Sequence, residues 1–177
     1  SARAFVDFAQ GFGEETDLDV WTVLARGLGH LERLLDGDAR RRYHARLRQL
    51  YRPALDRLGW EPGVDDTART LELRGLLLRA LAAIALDEDA IAYSRSVHAR
   101  YLHESAGVEP NLAAAVAGAV AAVGTSDDYA VFLARFHQAA TPQEERRYQM
   151  LLASFPGEQE LARTLTMALD GVVRTQD

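Results

Sequence analysis

The chain contains no cysteine and no lysine. Without thiols it can form no disulfide, no thiolate metal site and no cysteine nucleophile, and its redox compartment is left open. Without lysine its positive charge rests on 20 arginines, a usage that a GC-rich coding sequence produces without any site being implied. A net charge of −6 argues against a general nucleic-acid binder. No stretch approaches the roughly 20 apolar residues of a membrane span. The opening Ser1-Ala2-Arg3-Ala4-Phe5 also lacks the apolar core of a signal peptide. The expectation is a cytoplasmic protein that partners neither nucleic acid nor membrane.

Alternation at period two is equally scarce, which sets aside an extensive β-sheet. What the sequence does contain is helical periodicity from end to end. Leu18, Trp21, Leu24, Leu28, Leu31 and Leu35 form one stripe, and Tyr43, Leu47, Leu50, Tyr51, Ala54, Leu55 and Leu58 form the next. Tyr129, Phe132, Leu133 and Phe136 repeat the pattern, followed by Tyr148, Leu151, Leu152 and Phe155, and then by Leu161, Leu165, Ala168, Leu169 and Val172. A short first helix places Phe5, Phe8, Ala9 and Phe12 on one side. Two helices are apolar almost all round: "LELRGLLLRALAAIAL" (71–86) and "LAAAVAGAVAAV" (112–123). A helix with no polar face must be covered by neighbours, so both are expected between layers. At 177 residues, 48% of them apolar, residues 1–177 are long enough to fold as a single helical-repeat domain.

Boundary signals divide the stripes. Thr141-Pro142-Gln143-Glu144 supplies a capping hydroxyl, a proline at the first helical position and a glutamate that can return a hydrogen bond. Asp17, Asp65, Asp87 and Ser126 are weaker caps, with Gly37, Gly59, Gly107, Gly124 and Gly157 as stops. Pro53 predicts a kink. Three turns look alike: "AIALDEDAIA" (83–92), "AVGTSDDYA" (122–130) and "SFPGEQELA" (154–162). Each passes from a small or apolar helix end through turn residues to an acidic first turn. Their spacing of about 30 to 40 residues is that of helix-pair arrays. The expected fold is therefore all-α, an α-α superhelix of antiparallel helix pairs of HEAT or armadillo type, with an irregular bundle as the alternative.

No catalytic constellation accompanies this fold. The histidines are His30, His44, His98, His103 and His137, and none has another four residues away. "HESAG" (103–107) puts Gly107 where the second ligand of a zinc helix would stand. There is no G-x-S-x-G elbow, and "GFGEET" (11–16) lacks the lysine and preceding strand of a phosphate loop. Asp65-Asp66 and Asp127-Asp128 sit where acidic residues complement a helix N-terminus. The arginines at 40, 41, 42, 46, 48, 52 and 57 have no aromatics interleaved on their polar face, which favours pairing with acidic neighbours over phosphate binding. Arg74, inside the most apolar helix, needs a carboxylate or several carbonyls to offset its lost hydration. It is either a structural clamp or a substrate-facing anion contact. No catalytic residue, metal ligand or cofactor is expected in this chain.

Several stretches together resemble a known family. "ETDLDVWTVL" (15–24), "LYRPALDRLGWEP" (50–62), "LELRGLLLRAL" (71–81) and "VRTQD" (173–177) are similar, in order and spacing, to the C-terminal helical domain of zinc-dependent aminopeptidases of the aminopeptidase N type, most closely its bacterial branch. The resemblance implies a HEAT-like superhelix, without catalytic residues, that covers the active-site chamber of a larger enzyme and limits which peptides enter. It implies as partners an upstream catalytic domain of the same polypeptide and the peptide substrate. Zinc would belong to that domain, whose H-E-x-x-H and G-x-M-E-N segments are absent here. The other reading is an autonomous HEAT-like scaffold that binds a protein partner, which would need polar capping repeats at its ends.

Overall fold

A computed structural model describes residues 2–170; the "VRTQD" stretch and Val172 lie outside them. Among the described residues there are nine α-helices and no strand. They are α1 (Ala2–Gln10), α2 (Leu18–Glu32), α3 (Gly37–Leu58), α4 (Ala68–Ala83), α5 (Glu88–His103), α6 (Pro110–Ala122), α7 (Ser126–Gln138), α8 (Pro142–Leu152) and α9 (Glu158–Leu169), with one 3₁₀ turn at Ser105–Gly107. The three look-alike segments are the α4–α5, α6–α7 and α8–α9 turns. The chain divides into two compact units, Ser1–Ala119 and Val120–Asp177.

In the first unit, cross-helix contacts fix the directions. Tyr43 Oη donates to the Leu28 carbonyl at 2.7 Å, and the Trp21 and Tyr51 rings lie 5.7 Å apart, so α2 and α3 are antiparallel. Arg48 of α3 donates to the Ala85 carbonyl beyond α4, while Arg74 of α4 donates to the Leu58 carbonyl at the end of α3, so these two are antiparallel as well. Arg69 reaches Asp19 at 2.9 Å, and Ile84 packs on Gly29 at the far end, so α2 and α4 run parallel. Alternating directions of this kind are the packing of a helix-pair array.

As its composition predicts, α4 is buried on several sides: Leu73, Gly75, Leu77, Leu78, Ala80, Leu81 and Ala82 are all inside. Gly75 permits a close approach to α6, since a Cβ there would sit 3.2 Å from that of Ala115 and 3.4 Å from the Asn111 carbonyl. Leu112, Ala113, Val116, Ala117, Val120 and Ala121 of α6 are buried too. The first helix departs from its expected stripe. Val6 and Ala9 point inward, and Phe5 lies over Gly27. Phe8 stays 60% exposed against Phe12, because the short helix seats on its Val6–Ala9 edge.

Several boundaries also moved. Thr67 caps α4 where Asp65 was expected, and Thr125 replaces Ser126 in a capping box with Asp128. Gly37 and Gly157 open helices instead of closing them. The helix α3 continues through Pro53, and Gln49, whose carbonyl loses its donor there, is an exposed residue. Thr141 caps α8 as predicted, although the Glu144 carboxylate bonds the Ala140 N–H, one residue before the cap.

The α4–α5 turn holds one strained residue. Leu86 adopts φ 49°, a left-handed conformation that costs a side-chain-bearing residue about 1 kcal/mol. Leu86→Gly therefore raises the stability of the chain by up to about 1 kcal/mol in urea unfolding; a loss would show that the Leu86 side chain contributes more than its backbone costs.

The second unit is built on an aromatic cluster. Phe132 meets Tyr148 at 5.1 Å and Phe155 at 5.2 Å, both edge-on, and Tyr129 meets Phe155 in the same way at 5.2 Å. The expected leucine stripe of α9 does not join this core. Its helix is held by polar contacts instead: Thr164 Oγ1 lies 2.9 Å from Tyr129 Oη and donates to the Leu152 carbonyl, Ser126 donates to Glu160, and the Arg163 guanidinium stacks over the Tyr129 ring. Those bonds turn Leu161, Leu165 and Leu169 outward, 44%, 57% and 87% exposed.

Candidate functional site

The arginines of α3 fan out to most of the elements around them in the first unit. Arg40 donates to Glu32 at the end of α2 at 2.5 Å, and Arg46 pairs with Asp7 of α1 at 2.9 Å. Arg52 holds both Asp87 (2.5 Å) and Asp89 (3.0 Å) at the start of α5, with its guanidinium 5.1 Å above the Trp60 ring. Arg57 reaches Glu14 and the Gly13 carbonyl beyond α1, and Arg41 pairs with Asp38. Arg48 donates to the Ala85 and Leu86 carbonyls in the turn after α4, at 2.8 and 3.3 Å. These contacts occupy the guanidiniums of Arg40, Arg41, Arg46, Arg48, Arg52 and Arg57 with the protein's own carboxylates and carbonyls. They match the acidic-neighbour reading, not a phosphate-binding face.

Glu32 is held from two sides. Its side chain is 12% exposed, and one oxygen, Oε1, receives both Arg40 Nε and His44 Nε2, the latter at 3.0 Å. Burial pushes the Glu32 carboxyl upward, but the hydrogen bonds from Arg40 and His44 outweigh it and hold the group below the usual glutamate value. A carboxylate depressed in this way contributes stability that is present above about pH 4.5 and is lost as pH falls through its lowered folded value. Glu32→Gln is thus expected to flatten part of the acid limb of a stability–pH curve measured between pH 3 and 6. An unchanged limb would show that the Glu32 pairs add nothing to folding.

Arg74, the residue singled out by its apolar helix, is 2% exposed. Its Nε donates to the Gly59 carbonyl and Nη2 to the Leu58 carbonyl, both at 2.9 Å, and Nη2 also pairs with Asp66 Oδ2 at 2.7 Å. The guanidinium thus satisfies two carbonyls that the end of α3 leaves without helical donors, and it ties the far end of the 59–66 loop to the same point. Gly59 makes the exit possible with φ 77°. Asp66 accepts in addition from the Gly63 N–H at 2.5 Å. That bond, and then Arg74, keep its carboxyl below the usual aspartate range. The sequence placed Asp66 only as an acidic residue beside a helix N-terminus; the loop's return past Arg74 reveals the pairing. Within the loop, Trp60 packs edge-on against Tyr93 at 5.3 Å, and Tyr93 Oη donates to the Trp60 carbonyl.

The histidines do not converge. His44 and His98 are buried on different helices, whereas His30, His103 and His137 are exposed. Among the described residues no three His, Cys, Asp or Glu side chains gather in a way that could hold a metal ion. A cavity of about 350 Å³ lies beside Arg48, Leu86, Asp87, Glu88 and Asp89, where Asp87 and Asp89 are engaged with Arg52. No helix among the described residues is long and apolar enough to cross a membrane.

Compared with known families, residues 1–177 match the model of the ERAP1-like C-terminal domain. The chain belongs to that family. It is the helical C-terminal domain of an M1-type aminopeptidase, a non-catalytic part of a peptidase attached to an upstream catalytic domain in the same polypeptide. A search of curated proteins found no match.

Proposed function

We propose that this domain walls or caps the peptide chamber of a cytoplasmic, zinc-dependent aminopeptidase and influences which peptides reach its active site. The family match over the whole chain carries this reading. The geometry supports it: arginines of α3 join α1, α2, α4 and α5, and Arg74 pins the 59–66 loop, which gives a stiff surface suited to bounding a cavity. The described residues offer no ligand set that fits zinc, and the metal is proposed for the upstream catalytic domain. Arg74 is proposed as the clamp of that wall instead of a substrate contact, because its Nε and Nη2 are already engaged by the protein.

The purified chain is therefore expected to hydrolyse aminoacyl reporter substrates no faster than buffer and to carry no stoichiometric zinc by elemental analysis. Clear turnover by the isolated chain would overturn the assignment.

A further inference from the structure

We draw no further inference here: the strongest candidate, the exposed leucine stripe of α9 formed by Leu161, Leu165 and Leu169, is an unpartnered apolar face, and nothing in the structure shows what covers it.

Discussion

Arg74→Met lowers the unfolding free energy by about 3–5 kcal/mol, the range observed when one member of a buried ion pair is removed. Methionine fills much of the vacated volume, so the loss comes mainly from polar groups. The Leu58 and Gly59 carbonyls lose their donors, Asp66 loses its cation, and the exit from α3 is no longer held to the start of α4. Against a total stability of about 5–15 kcal/mol this is a large fraction, visible as a shift in the urea midpoint at nearly constant slope. Arg74→Lys recovers only part of it. A single ammonium cannot present the two-sided fork that reaches the carbonyls and the carboxylate together. A loss below about 1 kcal/mol for the methionine variant would mean that these bonds are exchanged for water at no cost, as at an exposed ion pair.

The second large effect lies in the aromatic cluster. Phe132 is fully buried and touches both Tyr148 and Phe155 edge-on, so Phe132→Ala removes the shared member of two ring pairs and opens a cavity. The expected cost is about 3–5 kcal/mol. Amide hydrogen exchange should report it as lost protection in α7 and α8. Phe132→Leu keeps apolar bulk while losing the ring geometry, and it should cost clearly less. Equal losses for the two substitutions would contradict a core held by ring packing.

The outline of this fold was legible because helical periodicity is a direct consequence of burying one side of a helix. Of the residues that a 3.6-residue period selects, Trp21, Leu24 and Leu28 of α2, and Tyr43, Leu47, Leu50, Tyr51, Ala54 and Leu55 of α3, are buried, while Leu18, Leu31, Leu35 and Leu58 at the stripe ends are partly buried. The interior position of α4 followed from its lack of a polar face. What failed was finer. Thr125 and Ser126 are adjacent and both competent to cap, so local preference cannot choose between them. The choice falls to the position from which Asp128 can return its bond. In α9 periodicity pointed to the leucines, but three side-chain hydrogen bonds and a cation–π contact set a different rotation of the helix. Pairing partners for Arg74 and Arg48 were invisible, since each depends on a carbonyl or carboxylate brought near only by the return of the chain.

The proposal of a chamber wall is tested most directly by comparing the whole aminopeptidase with a form that ends before residue 1 of this chain. For each, kcat/KM is measured on an aminoacyl reporter and on a series of peptides of increasing length. The account predicts that removing the domain changes the dependence on peptide length while the small reporter, which needs no chamber wall, is affected much less. The same length dependence in both forms would contradict it.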